Sequence, residues 1–211
     1  MTNTLQKIAS SLYDGQAQEV AALVQQALDQ DMAPQEVLSG GLIAGMDEVG
    51  KDFKAGELFV PEVLIAARAM RAGMGVLRPL LAEGNVPSTG KYVLGTVKGD
   101  LHDIGKNLVK MMLEGAGFEV IDLGTDVVPE GFVSAVLEHQ PKLVGMSALL
   151  TTTMVQMKAT IEALEEAGLR DSVKIMVGGA PVTAAFAKDI GADAYAPDAA
   201  TAVDVARDLS G

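Results

Sequence analysis

The chain has 211 residues and a formal charge of -12, from 16 basic and 28 acidic side chains. Hydrophobic residues make up 49% of it, which is enough for a buried core, and so acidic a chain repels nucleic-acid phosphates and anionic lipid. The absence of cysteine excludes disulfides, thiolate metal sites, iron–sulfur clusters and cysteine nucleophiles. With no signal-peptide core and no apolar stretch long enough to cross a bilayer, we expect a cytoplasmic protein without nucleic-acid or membrane partners.

The first 83 residues are predicted to be helical. The predicted helices run over residues 3–13, 16–30, 34–54 and 60–83. The fourth is the clearest, because apolar residues from Val60 to Leu81 recur at steps of three and four. Pro61 suits the first turn of that helix, and Pro34 can open the third helix in the same way. Because the connections are short, we predict a small four-helix bundle.

Residues 91–211 alternate short apolar runs with helical patterns, which indicates a parallel sheet covered by helices on both faces. The predicted strands are 92–97, 119–123, 143–147, 174–177 and 194–196, and the predicted helices are 104–116, 129–139, 151–167, 181–189 and 198–209. In such sheets, ligands bind beyond the carboxyl ends of the strands. We therefore expect function just after Val97, Leu123, Ser147 and Val177.

One of the two histidines, His102, follows the first predicted strand in a segment that begins at Gly99 and ends at Gly105. A carboxylate at Asp100 can accept a hydrogen bond from one imidazole nitrogen and leave the other as a metal donor. The flanking glycines let the backbone bend and let a bulky ligand approach. A structural interpretation is equally open, in which Asp100 or Asp103 caps the next helix and the imidazole is solvated.

A single imidazole is a poor metal site, because a divalent ion is stably held by three or four protein ligands. The chain has no cysteine, and the other histidine, His139, lies far away at a predicted helix end. If His102 binds a metal, most of the ligands must come from elsewhere. A macrocycle with four nitrogens would supply them and leave one axial position for the protein.

Small and hydroxyl residues follow the third and fourth predicted strands, in segments 147–153 and 178–180. Helix capping explains the hydroxyls in isolation, and a tight turn explains the glycines. Small residues at two neighbouring strand ends also leave a slot that a long polar tail can enter.

Taken together, these segments resemble the cobalamin-binding signature shared by methionine synthase, base-off mutases and corrinoid proteins of methyltransferases. The signature is three motifs at the family's spacing, Asp100-x-His102-x-x-Gly105, Ser147-x-Leu149 and Gly178-Gly179. Residues 45–61 also resemble the helical cap of methionine synthase and the corrinoid proteins. The chain is similar to a free-standing corrinoid protein of a methyltransferase system of the methylamine, methanol or methoxyaryl type.

The resemblance implies an α + α/β fold, with a helical-bundle cap over residues 1–84, a linker at 85–90 and a Rossmann-like (flavodoxin-like), five-stranded cobalamin-binding domain over 91–211. It implies that His102 is the lower axial ligand to cobalt, in place of the cofactor's own base, and that Asp100 and Thr153 complete a relay that orients it. The cofactor-binding residues that it implies are Gly99, Asp100, His102, Ile104, Gly105, Ser147, Leu149, Thr151, Thr153, Gly178, Gly179 and Ala180, with Phe53 and Val60 from the cap.

The resemblance further implies a methyl carrier that is not catalytic alone. Its cofactor would be cobalamin or a related corrinoid, as cob(I)alamin and methylcobalamin. Its partners would be a substrate-specific methyltransferase, a second methyltransferase that uses tetrahydrofolate or coenzyme M, and a reductive activase. Because a covered methyl group cannot reach a substrate, the cap would swing aside about the linker.

Two rival functions stay open at the level of sequence. The first is a cobalamin sensor or storage module, which would bind the cofactor without exchanging methyl groups. The second is a corrin-free flavodoxin-like module, which would use Asp100 or Asp103 as a phosphoacceptor or a metal site.

Overall fold

The computed structural model describes residues 2–83 and 89–211, and the chain divides into two compact units. The first comprises residues 1–87 with 115–117, and the second comprises 88–114 with 118–211. Of the expected linker at 85–90, residues 85–88 lie outside the described part of the chain.

The first unit is helical and has an aliphatic core. Its helices are α1 (Thr2–Tyr13), α2 (Ala17–Asp29), α3 (Pro34–Val37), α4 (Ala44–Ala55) and α5 (Val60–Glu83). The buried stripe of α5 includes Val63, Ala67 and Met70, at the spacing that the sequence predicts. Val60 and Leu64 belong to the same predicted stripe but are 37% and 41% exposed. No helix within residues 2–83 or 89–211 is long and apolar enough to cross a bilayer.

The third predicted helix differs from the structure, because a π-helical turn over Leu38–Ile43 separates α3 from α4. Pro34 does open α3, as expected. Two glycines lie in the wide turn, and a Cβ added at Gly41 would come within 3.0 Å of the Ile8 side chain in α1. The turn therefore brings this segment close to α1, and apolar spacing alone does not reveal such an inserted residue.

The second unit is a five-stranded parallel sheet flanked by helices, as predicted. The strands are β1 (Lys91–Thr96), β2 (Glu119–Asp122), β3 (Leu143–Ser147), β4 (Lys174–Gly178) and β5 (Ala194–Ala196), in the order β2-β1-β3-β4-β5. The helices are α6 (Ile104–Gly115), α7 (Pro129–His139), α8 (Val155–Glu166), α9 (Ala184–Asp189) and α10 (Ala199–Ser210). The central strands are buried almost throughout, as is typical of a sheet covered on both faces.

The carboxyl ends of the central strands lie side by side. Thr96 of β1 pairs in register with Ser147 of β3, which pairs with Gly178 of β4. Because β2 and β3 lie on opposite sides of β1, the strand order reverses at this position. Such a reversal opens the crevice in which α/β sheets bind ligands, so the loops after β1 and β3 line the expected site.

Two helices of this unit begin three or four residues later than predicted. α8 begins at Val155, because the residues before it are held in a turn by hydrogen bonds at the sheet edge. α9 begins at Ala184, because the Thr183 hydroxyl accepts a hydrogen bond from the Phe186 N–H and caps the helix there.

Lys106, in the first turn of α6, is a buried cation with a side chain only 2% exposed. Its Nζ donates to Asp122 Oδ1 at 2.6 Å and to Asn107 Oδ1 at 2.8 Å. Lys110 Nζ donates to Asp122 Oδ2 at 3.2 Å, and the Gly124 N–H donates to Oδ1 at 3.0 Å. Burial raises the pKa of Asp122, but these donors and cations outweigh it and lower that pKa below its usual range. The cluster ties the start of α6 to the end of β2.

We expect Asp122→Ala to lower the free energy of unfolding by about 3 kcal/mol, because it leaves the Lys106 ammonium buried without its carboxylate. Lys110→Ala is the matched control and should cost less than about 1 kcal/mol, because Lys110 is partly exposed. Urea unfolding of the three proteins measures both effects. Equal losses in the two variants would show that burial of Lys106 does not dominate the cluster.

Candidate functional site

Asp100 lies in the loop between β1 and α6, and its side chain is completely buried. Its carboxylate accepts five hydrogen bonds. Oδ1 accepts from the His102 backbone N–H at 3.1 Å and from Nδ1 of the same residue at 2.7 Å. Oδ2 accepts from the backbone N–H groups of Leu149 and Leu150 at 2.8 and 3.2 Å, and from the Thr153 hydroxyl at 2.8 Å. One carboxylate thus joins the loop after β1 to the turn after β3.

These donors keep the buried carboxylate ionised. Burial by itself raises the pKa of Asp100, but the hydrogen bonds from His102, Leu149 and Thr153 outweigh it and hold the pKa well below its usual range. An ionised carboxylate only accepts hydrogen bonds, so Nδ1 of His102 must carry the proton that it donates. The buried charge therefore selects one tautomer of the imidazole.

The His102 side chain is 51% exposed, although its partner Asp100 is buried. The main chain is also held, because the Thr96 hydroxyl donates to the His102 carbonyl oxygen at 2.9 Å. Within the described residues, Nε2 makes no hydrogen bond. In the tautomer with its proton on Nδ1, Nε2 carries a lone pair, which is the arrangement of a histidine that ligates a metal.

The structural interpretation of Asp100 as a helix cap is wrong, because all five of its donors are groups of the site and none belongs to α6. Asp103 stands just before α6, but its carboxylate accepts from the side-chain amide of Asn107 at 3.0 Å. The imidazole is partly solvated, as that interpretation expected.

Thr153 is nearly buried, and its hydroxyl lies 2.8 Å from Asp100 Oδ2 and 2.9 Å from the Leu150 carbonyl oxygen. A hydroxyl has one proton, so it donates to one of these oxygens at a time. The structure thus brings together Asp100, His102 and Thr153, the three residues that the resemblance assigns to a relay.

Large apolar side chains are exposed beside the imidazole. Leu101, directly before His102 in the loop, is 73% exposed, and Ile104, the first residue of α6, is 80% exposed. Leu149, after β3, is 43% exposed. Exposed apolar side chains gathered at one edge mark a binding surface. Ile104 and Leu149 are among the predicted site residues, whereas Leu101 was not singled out.

The remaining predicted residues of this unit lie at the same edge of the sheet. Ser147 ends β3, Thr151 and Ala180 are exposed in the turns that follow β3 and β4, and an added Cβ at Gly105 would contact nothing within 4 Å. Gly179 has φ +130°, and a Cβ there would overlap the Ala148 carbonyl oxygen. The close approach of two strand ends thus already requires glycine at 179, and a slot for the cofactor tail stays a prediction.

Phe53 and Val60 belong to the helical unit. Phe53 lies in the last turn of α4 and Val60 begins α5. α4 ends at Gly56, which has a left-handed φ of 77°, and Phe59 N–H donates to Glu62 Oε2 at 3.0 Å at the start of α5. Within this unit the two residues therefore lie on either side of a short, capped connection, and a role over the cofactor stays a prediction.

Besides Leu101, three residues of the site were not identified from the sequence, namely Thr96, Leu150 and Asp126. Leu150 contributes only its backbone N–H, which no side-chain pattern reports. Asp126, in the loop after β2, accepts from the Gly99 N–H at 2.7 Å, and its own N–H donates to the Asp100 carbonyl oxygen at 3.0 Å. Its position just beyond a strand end was the one available signal.

Comparison with known proteins identifies the family. Residues 90–204 match the B12 binding domain family, and residues 4–78 match a second family of B12 binding domains. The chain is 48% identical over 206 residues to the dimethylamine corrinoid protein of Methanosarcina barkeri, covering 97% of this chain and 96% of that protein. This chain belongs to the corrinoid proteins of methyltransferase systems.

Other corrinoid proteins are similar to this chain over nearly its whole length. A corrinoid protein of Desulfitobacterium hafniense is 44% identical over 210 residues, covering 98% of this chain and 97% of that protein. The crystal structure of the methanol:cobalamin methyltransferase complex of Methanosarcina barkeri contains a chain with 30% identity and a TM-score of 0.88, covering 99% of this chain and 80% of that one.

The cofactor of this corrinoid protein is cobalamin or a related corrinoid, so the corrin-free alternative is wrong. The residues present fit such a group. His102, whose side chain is half exposed, would hold the metal of such a group through Nε2, and Leu101, Ile104 and Leu149 would offer apolar surface to a large ring.

We expect Asp100→Asn to lower the free energy of unfolding by about 2 kcal/mol near pH 7, because an amide brings its own N–H toward five donors. The folded pKa of Asp100 lies below its unfolded value of about 3.9, so the ionised carboxylate stabilises the fold above that value. This stabilisation is lost as the pH falls below about 4 toward the folded pKa. Urea unfolding should therefore show a smaller difference between wild type and variant near pH 3. If the difference in unfolding free energy between wild type and Asp100→Asn did not change with pH, it would contradict a buried, ionised Asp100.

Proposed function

We propose that this corrinoid protein carries methyl groups on cobalamin that is bound base-off, with His102 Nε2 as the lower axial ligand to cobalt. The observation that supports this most strongly is the contrast between a buried Asp100 carboxylate, 2.7 Å from Nδ1, and an imidazole that is half exposed. The lone pair of Nε2 is therefore available to a metal before the cofactor binds.

When bound, the corrinoid cobalt supplies the centre that accepts and gives up the methyl group. The chain's own residues set the strength and direction of the imidazole donor. Asp100 holds the proton on Nδ1 and so leaves the lone pair of the imidazole on Nε2. Thr153, Leu149 and Leu150 hold Asp100 in place through its second oxygen.

The displaced nucleotide tail of the cofactor is proposed to pass Gly105 and to enter between the ends of β3 and β4. The support for this path is the register of the strands, which places Ser147 beside Gly178, and the open space at Gly105. The residues proposed to line it are Ser147, Leu149, Thr151, Gly178, Gly179 and Ala180.

A methylamine is the proposed first methyl donor, since relatives with 48% and 44% identity are named dimethylamine and trimethylamine corrinoid proteins. The proposed partner is a substrate-specific methyltransferase, as in the methanol:cobalamin methyltransferase complex. A second methyltransferase, using tetrahydrofolate or coenzyme M, would take the methyl group onward, and a reductive activase would restore the cofactor. Methyl exchange with such partners separates this proposal from the sensor or storage alternative.

We expect His102→Ala to lose the histidine nitrogen ligand of cobalt, whereas His139→Ala, the only other histidine variant, should retain it. Electron paramagnetic resonance of the Co(II) protein reports this ligand through its nitrogen splitting. Labelling histidine with nitrogen-15 should change the splitting from a triplet to a doublet in wild type and in His139→Ala, but not in His102→Ala, where any nitrogen ligand comes from the unlabelled cofactor. If the labelled His102→Ala protein and the labelled wild type gave the same spectrum, axial ligation by this residue would be excluded.

The helical unit is proposed to cover the methyl-bearing face of the cofactor through Phe53 and Val60 and to move aside about residues 84–90 when a partner binds. Support comes from the resemblance of residues 45–61 to a cap and from the division of the chain into two units. Residues 84–88 of the proposed hinge lie outside the described part of the chain.

Because the chain has no cysteine, one cysteine introduced into each unit gives a single disulfide that joins them. We expect the oxidised protein to bind cobalamin normally and to lose methyl transfer, and reduction should restore transfer. The two variants that carry only one of these cysteines are the controls. Full methyl transfer by the oxidised protein would show that the units need not separate.

A further inference from the structure

We infer that Asp126 is a positioning residue of the His102 site, acting through the main chain of Asp100. This inference deepens the proposed function and rests on it, because it concerns how the proposed axial ligand is held. Asp126 lies in the loop between β2 and α7, on the side of β1 away from the groups that bind the Asp100 carboxylate.

Asp126 holds the site loop at two consecutive residues, Gly99 and Asp100. Its Oδ1 accepts from the Gly99 N–H at 2.7 Å, which is short for an N–H···O bond, as expected for a charged acceptor. Its own N–H donates to the Asp100 carbonyl oxygen at 3.0 Å. Asp100 is thus fixed by its carboxylate from the β3 side and by its main chain from the β2 side, so the direction of its side chain is defined at both ends.

The neighbouring residues continue this pairing, so Asp126 is not an isolated surface contact. The Val127 N–H donates to the Thr96 carbonyl oxygen at 3.0 Å, and the Thr96 N–H donates to the Gly124 carbonyl oxygen at 2.9 Å. The hydroxyl of the same Thr96 binds the His102 carbonyl oxygen. The loop after β2 therefore supports both Asp100 and His102 along the main chain.

The backbone at Asp126 shows why an aspartate occupies this position. Its φ is +55°, a left-handed conformation that costs most side chains energy but that Asp and Asn adopt more readily. Glycine would also adopt this turn, but it has no side-chain acceptor for the Gly99 N–H. Aspartate combines the permitted conformation with a charged oxygen for the Gly99 N–H.

The test compares Asp126→Gly, which keeps the left-handed turn and removes the acceptor, with Asp126→Asn, which keeps an acceptor. Nitrogen-15 NMR of the cofactor-free protein at one neutral pH reports the tautomer of His102, with His139 as the internal reference. We expect Asp126→Gly to lower the Nδ1–H population of His102, because the hydrogen bond to Asp100 sets that tautomer. Asp126→Asn should return it toward wild type.

Asp31→Gly is the matched control, because Asp31 also has a left-handed φ of 58° but lies in the helical unit. It should leave the tautomer of His102 unchanged. Cobalamin binding by Asp126→Gly should weaken by about tenfold, the lower end of the effect of outer-shell substitutions on metal sites. An unchanged tautomer in a folded Asp126→Gly protein would overturn the inference.

The wild-type protein provides a test that no failure to fold can obscure. The Gly99 amide should be protected from hydrogen exchange, although Gly99 is exposed, and an unprotected amide would overturn the inference. The wild-type exchange experiment and the variants test the role of Asp126.

A different pair of results separates failure of the proposed function from failure of this inference. If the tautomer of His102 responds to Asp126 but cobalt shows no histidine nitrogen ligand, axial ligation alone is wrong. If cobalt carries the imidazole but the tautomer ignores Asp126, this inference alone is wrong.

Discussion

The site depends on one buried negative charge, the carboxylate of Asp100. A carboxylate with no contact to water is costly unless hydrogen bonds replace the water, and five donors do so here. Those donors come from the loop after β1 and the turn after β3, two segments about 50 residues apart in the chain. Hydrogen bonding to this charge therefore fixes the positions of the two loops relative to each other. It also fixes the imidazole of His102, which is one of the donors.

The sequence allowed the main elements of the fold and the central pair of the site to be predicted. Strand–helix alternation is a strong signal, and the two-residue spacing of Asp100 and His102 suffices for their side chains to meet. The resemblance then supplied Thr153, which neither periodicity nor spacing would have selected. The backbone donors of Leu149 and Leu150 escaped prediction, because a main-chain N–H is present at every residue except proline and only the fold selects among them.

The π-helical turn at Leu38–Ile43 and the late starts of α8 and α9 escaped prediction for a related reason. Helical spacing reports which faces of a segment are apolar, and it is insensitive to one inserted residue or to a short turn at a helix end. Tertiary contacts decide the outcome in two of these cases, namely the approach of Gly41 to Ile8 and the hydrogen bonds to Asp100. In the third case a local cap decides it, because the Thr183 hydroxyl fixes the start of α9. Apolar spacing thus located the elements, and individual contacts and caps set their ends.

The number of donors also explains why residue 100 must be an acid. An asparagine has one acceptor oxygen with two lone pairs, and its NH₂ group would face N–H donors, so it cannot satisfy the five groups that converge here. A carboxylate has two acceptor oxygens with about four lone pairs and no N–H of its own, and the Thr153 hydroxyl can turn to the Leu150 carbonyl oxygen instead. The carboxylate remains ionised because those groups lower its pKa. An ionised acceptor in turn requires a proton on Nδ1 of His102. The lone pair on Nε2, which we propose as the ligand to cobalt, thus follows from the burial of a charge two residues earlier in the chain.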